Sequence, residues 1–187
     1  MVFARAMRTA VLVATVACAL AFARSASAYE RQDHLGLTAG GALSTTDGAS
    51  TKTGIDLGLR YTYGVTDAFN LIVDVSGVAV GTEPPPAKNP PPQPGHIAVG
   101  GVGLAYVFDV TRWVPYAGAL IGPAYFGGGL MAHPTWTFDA QLVVGLDYEV
   151  SRSFAVGGAY AQHFVALAST YPELSTLGLH VEYVWGW

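Results

Sequence analysis

Hydrophobic and polar residues alternate along most of this chain with a period of two, the spacing of a β-strand whose two faces meet different surroundings. Over 53–64, Ile55, Leu57, Leu59, Tyr61 and Tyr63 alternate with Asp56, Gly58, Arg60, Thr62 and Gly64. Over 135–150, Trp136, Phe138, Leu142, Val144, Leu146 and Tyr148 share one face, and Thr137, Asp139, Gln141, Asp147 and Glu149 share the other. The segment 176–187 sets Leu177, Leu179, Val181, Tyr183, Trp185 and Trp187 against Thr176, Gly178, His180 and Glu182. Weaker patterns predict further strands over about 34–43, 70–80, 96–110, 114–126 and 154–167, which makes eight. The strand at 114–126 is the least regular: Pro115 and Pro123 remove ladder donors and Gly127, Gly128 and Gly129 follow, so a bulge or bend is expected there.

The connections alternate in length. Short turns fall at 66–68, 111–113 and 151–153, and longer polar or proline-rich links at 44–51, 81–95, 127–134 and 168–175. Eight antiparallel strands joined in order close into a narrow barrel, and three short turns at one end with four long loops at the other is the asymmetry of a barrel in an outer membrane. In lipid an open edge would leave amide groups unpaired at several kcal/mol each, so closure is required. Tyr61, Tyr63, Phe69, Tyr106, Phe108, Trp113, Tyr116, Tyr148, Phe154, Trp185 and Trp187 fall near the short-turn end and read as one aromatic girdle. Tyr125, Phe126, Trp136 and Phe164 outline the other. The competing arrangement is a water-soluble barrel of lipocalin type, which would turn the large apolar residues inward and the charged ones outward.

Composition sharpens this picture. The chain is 51% hydrophobic and only 12% charged, with 23 glycines among 187 residues. Beyond the N-terminus no apolar run is long enough for a spanning helix, and a strand with one lipid face needs apolar residues only at alternate positions. Arg5 and Arg8 precede an apolar run over 9–23 that closes on Ser25, Ala26, Ser27 and Ala28, which predicts a secretory signal peptide over 1–28 cleaved after Ala28. The domain expected over 29–187 is then the barrel, and loss of three arginines moves the net charge from −4 to −7. The only cysteine, Cys18, leaves with the leader, so no disulfide or thiolate site is expected. Six scattered Lys and Arg residues argue against nucleic acid as a partner.

Leu179, Val181, Tyr183, Trp185 and Trp187, alternating and ending on an aromatic, resemble the C-terminal assembly signal of outer-membrane barrels. With the leader and the loop asymmetry, the mature chain resembles the small eight-stranded family of the OmpX, OmpW and OmpA membrane-domain type. That resemblance implies a Gram-negative cell envelope, outer-membrane lipid as surroundings, the barrel-assembly machinery as a partner during biogenesis, and a monomer. No appended peptidoglycan-binding domain is expected, because the sequence ends on its last strand.

The residues facing the lumen carry the candidate chemistry, since a narrow interior makes an unpaired charge expensive. The pattern turns Asp56, Arg60, Asp74, Asp139, Gln141, Asp147, Glu149, His180 and Glu182 inward. Counting along the strands puts Arg60 near the level of Glu182 and Asp74, so Arg60 is expected at the hub of an ion-pair network with both. A network of this kind either plugs the barrel or gates a narrow path for ions or small hydrophobic molecules. The histidine and serine two residues apart found on lipid-modifying barrels are not present at His163, which Phe164 and Val165 follow, and His96 and His133 stand without an adjacent acid and hydroxyl. No histidine pair has metal-ligand spacing, and no spacing pairs two carboxylates as acid and base. The chain is therefore expected to be a non-enzyme without cofactor or metal, serving a structural or surface-interaction role; a lipid-modifying enzyme ranks third. Pro84, Pro85, Pro86, Pro90, Pro91, Pro92 and Pro94 hold the 81–95 loop extended, as a semi-rigid spacer or as an arm for an extracellular ligand.

Overall fold

The computed structural model describes residues 31–45, 51–81, 93–108, 111–165 and 173–186. The leader segment, the prolines from 84 to 92 and Trp187 lie outside them. Eight strands follow one another: β1 (Asp33–Thr45), β2 (Lys52–Gly64), β3 (Phe69–Val80), β4 (His96–Val107), β5 (Trp113–Gly127), β6 (Thr135–Ser151), β7 (Phe154–Val165) and β8 (Glu173–Trp185). Each pairs antiparallel with its sequence neighbour, and β1 pairs with β8, so the sheet closes into an all-β up-and-down barrel. No helix among the described residues is long and apolar enough to cross a membrane.

The outward face is apolar. Leu57 is 61% exposed beside Asp56 at 4%, and Val181 is 54% exposed beside Glu182 at 3%. This is the reverse of the soluble arrangement, because exposing so many large aliphatic side chains to water costs about 25 cal/mol per Å² of apolar surface. Aromatic pairs ring the short-turn end: Phe69 against Tyr106 at 5.5 Å, Trp113 against Tyr148 at 4.7 Å and Phe154 against Tyr183 at 5.4 Å between centroids. Tyr125 and Trp136, at 5.0 Å, mark the other end.

Two members of the expected girdles turn inward instead. Val114, Tyr116, Leu120, Ala124 and Phe126 are the buried face of β5, so Tyr116 and Phe126 belong to the interior. Both faces of β5 are apolar, and alternation alone therefore leaves its phase undefined. Nor does β5 carry the expected bulge. Its pairs with β4 keep one register on either side of Gly100 and Gly101, which lie opposite Pro123 and Gly122. The proline has no N–H to offer β4, so the ladder skips a step without shifting. The register shift of the barrel falls between Glu149 and Ser151 on β6. β4 ends at Val107, short of the expected limit, the expected end of β7 lies outside the described residues, and β8 begins earlier, at Glu173.

One device makes all three short turns. The hydroxyl oxygen of Thr66 accepts from Phe69 N–H at 3.0 Å, that of Thr111 from Trp113 N–H at 3.1 Å, and that of Ser151 from Ser153 N–H at 3.3 Å. A Ser or Thr at the first position satisfies a turn amide locally and reverses the chain in few residues. At the opposite end Gly128 and Gly129 take positive φ, letting Leu130 N–H reach Gln93 C=O at 2.8 Å and joining two long loops.

The interior is divided. At the loop end, Phe126, Leu174, Ile97 and Val78, all essentially fully buried, form an apolar layer with Val80 and Val99. Nearer the short turns the inner faces of β3 to β6 contribute Ile72, Val107, Val114, Leu120 and Val143. Apart from Asp74 and Tyr116, the interior ionisable groups line the wall formed by β1, β2, β6, β7 and β8.

Candidate functional site in the barrel interior

Beside the apolar layer and below it the polar side chains form three levels, the first of them in register with Leu174 of that layer. In the first, His163 Nδ1 lies 2.7 Å from Asp139 Oδ2, with both side chains almost wholly buried. Gln141 and Asp56 complete this level around a cavity of about 30 Å³. Asp56 Oδ1, Asp139 Oδ1 and Gln141 Nε2 have no protein partner, and a polar cavity of this size suits ordered water.

Arg60 is the second level. Its Nε donates to Asp74 Oδ2 at 3.2 Å and its Nη1 to the Tyr116 hydroxyl at 2.7 Å, with the guanidinium carbon 5.9 Å from the Tyr116 ring centroid. The register explains the first contact, since Arg60 and Asp74 are direct cross-strand partners on β2 and β3. Tyr116 reaches across because Gly145 stands beside it: a Cβ at 145 would come within 2.3 Å of the Tyr116 ring.

The third level departs from the expected hub. Glu182 Oε2 pairs with His34 Nδ1 at 3.1 Å rather than with Arg60. Arg60 and Glu182 are two strands apart, with Gly36 directly between them in register. The Glu182 side chain folds over Gly36, where a Cβ would meet its Cγ at 3.0 Å, and His34 captures the carboxylate. Beside this pair, His180 Nε2 lies 2.7 Å from Asp147 Oδ1 and 3.8 Å from Glu182 Oε1. A second cavity, of about 20 Å³, opens next to His34, Asp147, Glu182 and Tyr116. Arg60 is the residue that the linings of the two cavities share.

Of the nine residues read as inward-facing, Asp56, Arg60, Asp139, Gln141, Asp147, His180 and Glu182 are buried, whereas Asp74 and Glu149 are half-buried. Glu149 lies at the short-turn rim. Sequence reasoning missed His34, Tyr116 and His163. The parity of Leu35 and Leu37, both outward, already turns His34 inward, and that of Phe164 does the same for His163. The histidines and carboxylates that no local spacing joins are brought together by cross-strand register, including Asp147, His180 and Glu182, whose ligand-type atoms all lie within 4.8 Å of one another.

No family model matches the chain, and no curated protein matches it. Solved structures do. Neisserial surface protein A superposes with a TM-score of 0.65 at 14% identity over 81% of this chain and 96% of its own. The N-terminal β-barrel domain of Pseudomonas aeruginosa OprF gives 0.62 at 12% identity over 83% of this chain and 98% of its own. The outer membrane enzyme PagL gives 0.51 at 17% identity over 79% and 97%. This third likeness overturns the expectation that the chain is a non-enzyme. A rigid eight-stranded wall can hold reacting groups on either face, and the fold that PagL shares carries an enzyme, so architecture gives no ground for excluding one.

Proposed function

We propose, from the premise that this chain has the fold of the small eight-stranded outer-membrane barrels, that it is exported by a leader over 1–28 and resides in the outer membrane as a closed, monomeric surface protein. In this reading the short turns face the periplasm, the long loops face outward, and the barrel-assembly machinery reads the alternating C-terminal strand. The role is structural or one of surface interaction, exercised through the loops, including the proline-rich 81–95 segment.

The observation that carries this reading is the apolar layer of Phe126, Leu174, Ile97 and Val78 across the loop end. Hydrated solutes would have to dewet to pass it, so the lumen serves as a filled core rather than a channel. Liposome swelling with small sugars tests it: no swelling above protein-free vesicles is expected, and swelling that falls with solute size would overturn the sealed barrel. Membrane fractionation with heat-modifiable gel migration tests the location, and recovery in the soluble fraction would end the membrane reading.

A narrow path for ions is the second reading, favoured by one feature. Arg60 lines both cavities, so rotation of its side chain is the movement best placed to join them. Planar-bilayer openings that change on Arg60→Ala would support it.

A further inference from the structure

We propose that Asp147, His180 and Glu182 form a binding site for one first-row divalent cation on the inner wall of the barrel, with His34 positioning the Glu182 carboxylate. His180 Nε2, Asp147 Oδ1 and Glu182 Oε1 are the ligand atoms, already 2.7 and 3.8 Å apart from the imidazole nitrogen to the two oxygens. Ligands at about 2.0–2.2 Å from a tetrahedral ion stand roughly 3.3–3.6 Å from each other; the three atoms here all lie within 4.8 Å of one another, so side-chain shifts on the order of an ångström close the set around one ion. Imidazole with two carboxylates is a donor set suited to zinc and its first-row neighbours rather than to calcium or magnesium, which take oxygen alone.

Charge points the same way. Asp147 and Glu182 bring two negative charges to a site whose nearest guanidinium, Arg60, is already engaged by Asp74 and Tyr116. A divalent cation matches those two charges. Hydrogen bonding within the protein does not complete His180 either: its side chain is wholly buried, and its Nδ1 meets no protein partner. The strands have left room for the cluster. Gly157 on β7 stands between Asp147 and His180 in register, and a Cβ there would lie 2.1 Å from Asp147 Oδ1 and 2.6 Å from His180 Nε2.

His34 supplies the outer support that metal-binding carboxylates require, holding Glu182 Oε2 at 3.1 Å and leaving Oε1 for the ion. Three protein ligands leave a coordination position for water from the adjoining cavity. Asp147 retains 12% of its side-chain surface, four residues from the short-turn end of β6, which provides the route of entry.

The test uses the untagged full chain, folded into detergent micelles, stripped with a chelator and dialysed against zinc chloride. Metal analysis is expected to return one zinc per chain, falling at least tenfold in His180→Gln and in Asp147→Asn and unchanged in His163→Gln, which alters the other histidine–carboxylate pair. Heat-modifiable migration reports whether each variant is folded. Should neither site variant fold, X-ray absorption of the zinc-loaded wild type decides, since a first shell without imidazole scattering would overturn the site. Zinc retention that ignores His180→Gln and Asp147→Asn, loss on His163→Gln, or no stoichiometric zinc at all would each overturn it.

Discussion

Asp147 and His180 sit two strands apart and touch at 2.7 Å only because the residue between them, Gly157, has no side chain. Lumen-facing glycines in this barrel act as gaps through which longer side chains meet. Gly36 does the same for Glu182, and Gly145 for Tyr116. A narrow interior cannot hold a large side chain at every inward position, so alternating long polar residues with glycine lets the polar ones reach past their immediate neighbours.

Gly157→Ala is therefore expected to destabilise the folded barrel by about 1–3 kcal/mol, the usual range for overpacking a tight interior. Its neighbour Gly158 provides the control. That position faces outward, the nearest atom to an added Cβ is the tip of Leu179 at 3.4 Å, and Gly158→Ala should stay within about 0.5 kcal/mol of wild type. Urea unfolding in detergent, followed by tryptophan fluorescence, measures both. Equal effects at the two positions would remove the gap explanation.

The Arg60–Asp74 pair makes a second, non-additive expectation. Removing Arg60 alone strands a carboxylate against the interior and should cost about 3–5 kcal/mol. Arg60→Met combined with Asp74→Leu replaces the pair by apolar volume and should recover most of that loss, because the desolvation penalty of both charges disappears with them. A double-mutant cycle on the same unfolding assay reads the coupling directly. Additive losses would mean that the two side chains act independently and that the 3.2 Å contact contributes nothing.

How far the sequence revealed this arrangement depended on which kind of information each feature carries. Strands with one polar and one apolar face, such as β2 with Leu57 beside Asp56 or β8 with Val181 beside Glu182, declared both their existence and their orientation. β5 declared its existence alone, since Tyr116 and Phe126 alternate with Ala117 and Tyr125 and neither face is polar. Partner identity is a further step, set by cross-strand register and side-chain reach. Arg60 with Asp74 was readable because they are immediate neighbours on β2 and β3. His34 with Glu182, and His180 with Asp147, depend on where rings and carboxylates rotate within the lumen, and no spacing along the chain encodes that.

The outward face supplies a depth-dependent expectation. Leu57 lies midway along β2, whereas Leu35 lies near the short-turn end of β1, and both project outward. In a bilayer, Leu57→Arg should cost about 2–4 kcal/mol and Leu35→Arg about 0–1 kcal/mol, because an arginine near the interface reaches the headgroups and one at the midplane does not. Unfolding from phospholipid vesicles compares the two. Equal costs at both depths would argue that no hydrocarbon slab surrounds the barrel.

The apolar layer and Arg60 stand in series along the lumen, and their order makes the sealed interior testable in two steps. Phe126→Ala removes the largest fully buried side chain of the layer and, as a buried aromatic truncation, is expected to cost about 3–5 kcal/mol. By itself it should leave planar bilayers almost silent, because the Arg60 side chain, which lines both cavities, is still in place. Arg60→Ala alone should be silent for the opposite reason, since the two cavities merge beneath an intact apolar lid. Only the double variant joins the loop side to both cavities, and small cation-selective openings are expected there, because Asp56, Asp74, Asp147 and Glu182 line the two cavities and leave the joined interior negative. Openings of equal size in either single variant would show that one of the two barriers does not seal, and the variant that conducts identifies which.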